Sequence, residues 1–184
     1  MGPIGHCAIG MAAKPLAPKV PVGVLLIATL LLDILATVFM FIGIEGGEKV
    51  GNPWSHGLLM SLIWSIIVAL LAGTVFRSYR AGAVVGSAVF SHWLLDLVSH
   101  PIPFPSFSWR SWQWDYGHAL PPDLPLLFAN SHRVGLGLYN SISAVAATEL
   151  EVGMFLLGTA VYITHRVLQQ RTRRRDASRA VIHD

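Results

Sequence analysis

The segment SHWLLDLVSH, residues 91–100, carries two histidines and an aspartate at intervals of four: His92, Asp96 and His100. On an α-helix, positions four apart lie about 40° apart around the axis and about 6 Å along it. The three side chains therefore form one stripe, whose outer alpha carbons are about 12 Å apart. Because a metal–nitrogen bond is about 2 Å long, neighbours in the stripe can share an ion, but all three cannot do so without distortion. The spacing predicts that His92 and Asp96 are a ligand pair. His100 then serves a second ion, a supporting contact or the mouth of the site.

Further ionisable residues interrupt the other apolar segments of the chain. Asp33 lies within the first, His56 opens the second, and Glu149 and Glu151 lie in the last. Such residues are costly in a bilayer and usually face a bundle interior or a water-filled cavity. Histidines mixed with carboxylates, without Cys or Lys, are typical of first-row metal sites. Two alternatives stay open, since a proton relay uses the same residue types and a lone histidine can simply bond a backbone carbonyl.

The composition places these residues in a membrane protein. Of the 184 residues, 53% are hydrophobic and only 12% are Asp, Glu, Lys or Arg, which is too apolar for an ordinary soluble domain. A membrane span needs about 20 mainly apolar residues, and the stretches that qualify are residues 20–44, 54–76, 81–99 and 142–165. We therefore predict an all-α, polytopic helical membrane protein with four transmembrane helices, a short N-terminal helix and a long external loop.

The predicted organisation has three parts. They are an N-terminal interfacial or re-entrant segment (1–19), a four-helix membrane domain (20–168) with its long loop at 101–141, and a basic tail (169–184). Basic residues cluster at the N-terminus, in the short second loop and in the tail, which includes QQRTRRR. Because cytoplasmic loops carry the excess of Lys and Arg, both termini are predicted to be cytoplasmic. His6 then starts on the opposite side from the other ionisable residues, unless the N-terminal segment re-enters the membrane.

Two other function classes receive little support. The basic tail is explained by topology and by contact with anionic lipid, and no recognisable nucleic-acid-binding fold accompanies it. Membrane lipid is therefore the expected partner, and nucleic acid is not. The chain has no G-x-S-x-G elbow and no P-loop. The adjacent pairs Ser55–His56 and Ser91–His92 should diverge by about 100° on a helix, so serine-based acyl transfer is not expected.

Taken in order, the motifs resemble a bacterial family of predicted membrane-bound metal-dependent hydrolases, distantly allied to zinc-dependent phospholipases. The resemblance covers most of the chain, through GHCAIGMAAKPLAP, LLLDIL, GIE, NPWSHGLL, VFSHWLLDLVSH, PPDLPL and RVGLGLYNS. The chain departs from the family pattern at two places. Gly57 replaces the second serine of SHSLL, and a Trp-rich insertion separates His100 from Asp123.

The resemblance implies a set of site residues. The metal ligands would be His6, Asp33, His56, His92 and Asp96, with outer candidates at His100, Asp123 and Glu151. It favours Glu151 over Glu149. It also implies a multi-pass protein of the bacterial inner (plasma) membrane that binds one or two divalent ions, with zinc expected.

Three functions are compatible with this pattern, and the first is favoured. It is a membrane-embedded metal-dependent hydrolase acting on a lipid-associated ester, such as a phosphoester. A bound ion would lower the pKa of water, and Glu151 or Asp33 would accept its proton. The second function is a proton or divalent-cation transporter or channel. The third is a non-catalytic membrane protein whose helices are stapled by metal. The oligomeric state stays open.

Overall fold

A computed structural model of the chain describes residues 1–45, 52–99, 106–108, 113–115, 136 and 138–183. The described residues are helical apart from short connections and two three-residue strands. The helices are α1 (Pro3–Ala12), α2 (Val22–Phe41), α3 (Pro53–His56), α4 (Leu58–Val75), α5 (Tyr79–Ser99) and α6 (Ala144–His183), with a 3-10 helix at Leu138–Asn140. The predicted all-α class and the short N-terminal helix are confirmed.

Four helices are long and apolar enough to cross a membrane. They are Val22–Phe41, Leu58–Val75, Tyr79–Ser99 and Ala144–Asp176. The prediction of a polytopic membrane protein with four spanning helices is therefore confirmed. In the predicted long loop, strand β1 (Ser106–Ser108) pairs antiparallel with strand β2 (Gln113–Asp115). The remainder of residues 100–135 lies outside the described residues.

The second spanning segment differs from its prediction at its start. Residues 54–57 were expected to be part of it, but the helix breaks at Gly57, so α3 is a separate turn ahead of α4. The backbone at Gly57 is extended, with φ −65° and ψ 143°. A Cβ there would collide with the carbonyl oxygen of Pro53. This backbone therefore accepts glycine and not the serine of the SHSLL pattern, and the break places His56 at the entrance to α4.

Helices α4 and α5 pack closely through small residues. The sequence GAVVG puts Gly82 and Gly86 on one face of α5, where they meet Ala69 and Gly73 of α4. Glycines four apart allow two helix backbones to approach closely in a membrane. A Cβ built on Gly86 would lie 2.7 Å from the Cβ of Ala69 and 2.8 Å from the carbonyl oxygen of Ser65. This contact fixes α5, which carries the His92–Asp96 pair, against its neighbour.

Gly86→Val is expected to destabilise the protein, because the added side chain must push α5 away from α4. Overpacking of this kind costs about 1–3 kcal/mol, which thermal unfolding in detergent will register as a lower Tm. Gly23→Val on α2 is the matched control, since nothing lies within 4 Å of its Cβ position. Equal losses of Tm in the two variants would show that the tight contact is not the cause.

Helix α1 lies inside the bundle, between α2 and α6. A Cβ on Gly10 would lie 3.0 Å from the carbonyl oxygen of Leu25 on α2, and a Cβ on Gly158 of α6 would collide with the carbonyl oxygen of Ala8. Gly10 thus lets α1 approach α2 closely, and Gly158 of α6 makes room for α1 on its other side. Its packing against two spanning helices carries the N-terminal residues into the protein interior.

The turn between α1 and α2 is held by a buried lysine. Lys14 Nζ donates to the carbonyl oxygens of Pro18, at 2.8 Å, and Val20. Burial, together with the nearby charge of Arg166, lowers the pKa of Lys14. The side chain thus satisfies two carbonyl groups where the chain reverses direction, and it fixes where α1 ends relative to α2.

Candidate metal centre

Five of the predicted site residues converge on one cluster. They come from four helices: His6 from α1, Asp33 from α2, His56 from α3, and His92 with Asp96 from α5. The three histidines and Asp96 are at most 2% exposed. The Asp33 side chain is 48% exposed, so among these five residues Asp33 is the one that solvent reaches.

Four pairs of donor atoms in this cluster are separated by distances close to those between ligands of one metal ion. His92 Nε2 lies 3.3 Å from Asp33 Oδ1 and 3.3 Å from Asp96 Oδ2. His56 Nε2 lies 3.4 Å from Asp33 Oδ1 and 3.8 Å from Asp96 Oδ2. Tetrahedral ligands at about 2.0–2.1 Å from zinc lie about 3.3–3.4 Å from one another. Three of the four distances match, and the fourth is a few tenths of an ångström longer.

The orientation of His92 turns its Nε2 towards the cluster. His92 Nδ1 is 2.7 Å from the carbonyl oxygen of Thr29. Since a carbonyl only accepts, Nδ1 carries the proton, and Nε2 of the neutral ring carries the lone pair. Histidine ligands of metals are commonly oriented in this way. Thr29 lies one turn before Asp33, so α2 both orients this histidine and supplies a carboxylate beside it.

The inward nitrogen of His92 is a buried atom that makes no hydrogen bond within the described residues. It faces one oxygen of Asp33 and one of Asp96, each 3.3 Å away. Two carboxylate oxygens and this nitrogen in contact require a cation among them, either a proton on Nε2 or a metal ion. The donor set therefore fits a divalent metal ion.

Helix α1 places His6 against the second oxygen of Asp96. His6 Nε2 is 3.2 Å from Asp96 Oδ1 and 3.1 Å from the carbonyl oxygen of Met1, whose amino nitrogen donates to the same Oδ1 at 2.7 Å. The ring of His6 stacks on that of His92, with centroids 3.7 Å apart. Burial lowers the pKa of His6, which favours the neutral ring. His6, His92 and Asp96 thus make a second group with ligand-like spacing.

Glu151 borders the cluster and is not part of either ligand group. Its Oε1 accepts the backbone N–H of Gly2, at 2.6 Å, and the hydroxyl of Tyr139, at 3.0 Å. Burial and the adjacent Glu151 carboxylate raise the pKa of Tyr139, so the phenol stays protonated and donates. Glu149 is exposed, so of the two glutamates only Glu151 faces inward. Two consecutive residues thus connect the two carboxylates, because the Met1 amino group donates to Asp96 and the Gly2 backbone N–H donates to Glu151.

Sequence reasoning gave no role to Glu45 or Ser55. Glu45 is 3% exposed. Its Oε1 accepts the backbone N–H groups of Trp54, at 2.6 Å, and Ser55, at 2.7 Å, and its Oε2 accepts the Ser55 hydroxyl at 2.8 Å. The available signal was an acidic residue directly after an apolar segment, in the motif GIE.

The other two outer candidates, His100 and Asp123, lie outside the described residues.

The expectation that adjacent Ser and His side chains diverge is wrong for Ser55–His56. Ser55 Oγ lies 2.8 Å from His56 Nδ1, because α3 is a single turn with side chains that are not spaced as on a long helix. It holds for Ser91, whose hydroxyl donates to the carbonyl oxygen of Ala88. Ser55 is nevertheless fully buried and bonded to Glu45, which leaves it unsuited to attack a substrate.

The fold and the site together define a class: a polytopic helical membrane protein with a His/Asp cluster buried among its helices. No protein-family model matches the chain, and comparison with curated proteins and with solved structures gives no match. The resemblance to membrane-bound metal-dependent hydrolases therefore depends on the sequence motifs alone.

Proposed function

We propose that the protein is a membrane-embedded metal-dependent hydrolase in which His56, His92 and Asp96 hold one divalent ion. The observation that carries the proposal is the buried His92 Nε2, which makes no hydrogen bond within the described residues and faces two carboxylate oxygens at 3.3 Å. Two imidazoles and carboxylates with near-tetrahedral spacing favour zinc. When bound, zinc lowers the pKa of water towards neutrality and polarises the group to be cleaved.

One ion, not two, is proposed because of His92. This residue belongs to both groups with ligand-like spacing. Its Nδ1 is committed to the carbonyl oxygen of Thr29, so it has a single nitrogen to offer. In this proposal His6 braces Asp96 through Oδ1, which leaves Oδ2 directed at the two other ligands.

The half-exposed Asp33 marks the side from which a substrate enters. The other four side chains of the cluster are buried, and catalytic zinc sites keep one position open beside three protein ligands. On α2 the exposed residues near Asp33 include the apolar Ile34, Val38 and Phe41, and the exposed Thr37 has its hydroxyl bonded to the Asp33 carbonyl oxygen. A substrate reaching Asp33 therefore meets a hydrocarbon-compatible surface, which supports a lipid-associated ester, such as a phosphoester, as the substrate.

Glu151 is the proposed proton acceptor. Asp33 is within 3.4 Å of both His56 and His92, which suits it to a position beside the ion. The Glu151 carboxylate is held by Gly2 and Tyr139 at the edge of the cluster and is not needed as a ligand. A positioned carboxylate of this kind contributes on the order of 10²–10⁴-fold as a general base.

The proposed location is the bacterial inner membrane, with both termini in the cytoplasm. Support comes from the distribution of Lys and Arg, which are concentrated at the N-terminus, in the turn between α4 and α5, and in the second half of α6. In this orientation the cluster lies nearer the outer face, since Asp96 is three residues from the end of α5.

A second candidate is a non-catalytic protein whose helices are stapled by the metal. The observation that favours it is that Asp33 Oδ1 lies within 3.4 Å of both His56 and His92 and would supply a fourth protein ligand, because structural zinc sites are closed by four protein ligands. The two candidates differ in what the metal does once it is bound: it supports either turnover or only stability.

Elemental analysis and turnover in detergent test both candidates. We expect one zinc per chain, and hydrolysis of bis(p-nitrophenyl) phosphate or a fluorescent phosphatidylcholine that chelation abolishes and zinc restores. Glu151→Gln should retain zinc and lose 10²–10⁴-fold in turnover, while the exposed Glu149→Gln serves as the control. Zinc binding with a large loss of Tm on chelation, and no turnover of either substrate, would instead favour the stapled protein. A chain that binds no divalent ion would contradict both.

A further inference from the structure

A chain of hydrogen bonds leads from Glu45 through Ser55 to His56. The Ser55 hydroxyl lies 2.8 Å from Glu45 Oε2 and 2.8 Å from His56 Nδ1. All three side chains are buried, with exposures of 3% for Glu45, 0% for Ser55 and 2% for His56. Water therefore does not compete for these bonds, and each proton in the chain has a definite place.

The direction of the chain follows from counting protons. Burial raises the pKa of Glu45, but Glu45 accepts two backbone N–H groups on Oε1 and the hydroxyl on Oε2, and these three bonds favour the ionised carboxylate. A serine hydroxyl has one proton, and here it is donated to Glu45. Ser55 Oγ can then only accept from His56, so Nδ1 of His56 carries the proton. The neutral ring thus presents the lone pair of Nε2, which lies 3.4 Å from Asp33 Oδ1.

We propose that Glu45 and Ser55 are positioning residues, which together select the His56 tautomer able to bind a metal ion. The inference rests on the proposed metal site, since it explains how one of the ligands is prepared. The same task at His92 is done directly by the carbonyl oxygen of Thr29. At His56 the Glu45 carboxylate acts through the Ser55 hydroxyl. The tautomers of the two histidine ligands are therefore fixed by different hydrogen-bond partners.

Glu45 also fixes where His56 lies. Its Oε1 binds the backbone N–H groups of Trp54 and Ser55 in the first turn of α3. Glu45 follows the end of α2, the helix that carries Asp33. One carboxylate thus holds α3 against the end of α2, which aligns His56 with Asp33, and at the same time sets the tautomer of the ring.

The substitution Glu45→Gln separates these two tasks. The glutamine carbonyl can still accept the backbone N–H groups, so α3 stays in place. The amide nitrogen then takes the position of Oε2 and donates to Ser55. Ser55 must in turn donate to His56 Nδ1, which moves the ring proton to Nε2 and directs an N–H at the metal site. The variant keeps the shape of the site and reverses the proton order.

The test measures Co²⁺ and Zn²⁺ affinity of the purified full chain by competition with a chromophoric chelator. We expect Glu45→Gln to bind 10–100-fold more weakly than wild type, the range for lost supporting partners of metal ligands. Ser55→Ala should weaken binding less, because the ring is then free to adopt either tautomer. The double variant should resemble Ser55→Ala, since without the hydroxyl the reversed order cannot reach His56. Ser91→Ala and Glu149→Gln are the matched controls, and both should bind as wild type does.

The pattern among the variants decides the outcome. If Glu45 and Ser55 were only structural, the losses in affinity would add in the double variant, and that result would overturn the inference. So would wild-type affinity in Glu45→Gln.

A separate readout is the ¹⁵N shift of the His56 ring nitrogens in the metal-free protein, assigned by comparison with His56→Gln. We expect a protonated Nδ1 in wild type and a protonated Nε2 in Glu45→Gln, and an unchanged tautomer contradicts the inference. A wild-type chain that binds neither ion, yet shows the tautomer switch, would overturn the proposed function and leave the positioning roles standing.

Discussion

Replacing His92 with alanine is expected to weaken zinc binding by more than about 100-fold. His92 belongs to both ligand groups, and its Nε2 lies 3.3 Å from one oxygen of Asp33 and one of Asp96. Four-ligand structural zinc sites have binding free energies of about 10–16 kcal/mol. The share of one ligand is therefore about 3 kcal/mol, or more than 100-fold in affinity.

The measurement is zinc content after purification, followed by chelator competition for any zinc that remains. His165→Ala is the control, because His165 lies on α6 about 21 Å along the helix from Glu151. The control should keep the zinc content of wild type. If His92→Ala competes with the chelator for zinc as well as wild type does, the ion is bound elsewhere and the proposed site is wrong.

Gly158→Val is expected to displace α1 and to damage the site from a distance. A Cβ at Gly158 would collide with the carbonyl oxygen of Ala8. Backbone atoms cannot move aside as a flexible side chain can, so α1 must shift away from α6. We expect a destabilisation of at least the 1–3 kcal/mol that is typical of overpacking. Metal affinity should also weaken, because α1 carries His6, whose Nε2 braces Asp96 Oδ1 at 3.2 Å.

The matched control lies on the same helix. Gly153→Val makes the same substitution at a position with nothing within 4 Å, and it should leave Tm and zinc affinity unchanged. Cys7 offers a direct readout of α1, since it lies on that helix and is the single cysteine of the chain. Its alkylation by a maleimide should be faster in Gly158→Val than in wild type or Gly153→Val. Unchanged labelling together with unchanged zinc affinity would mean that α1 does not need this contact.

Features that depend on a single helix could be predicted from the sequence. The four spanning helices follow from length and apolarity. The closeness of His92 and Asp96 follows from a spacing of four on one helix. Neither needs knowledge of which helices are neighbours.

The contacts that depend on chain reversals were not accessible in the same way. His6 reaches the cluster because α1 turns back between α2 and α6, which depends on close approach at Gly10 and Gly158. Spacing does not reveal this, and only the family resemblance pointed to His6. The Glu45–Ser55–His56 chain depends on a one-turn helix that ends at Gly57, where the side-chain directions of a long helix do not apply.

The length of α6 limits how its arginines can meet a membrane. The helix has 40 residues, which is about 60 Å at 1.5 Å per residue, whereas the hydrocarbon core is about 30 Å thick. About 20 residues of an upright helix cross that core, so Arg171 to Arg175 would project about 10–17 Å beyond its edge. The headgroup layer extends about 5–8 Å beyond that edge, so in an upright α6 Arg171 lies within one Debye length of it, about 8 Å at physiological salt, whereas Arg175 lies slightly farther out. Tilting α6 brings the outer arginines closer to the anionic headgroups, and raising the ionic strength would weaken that attraction.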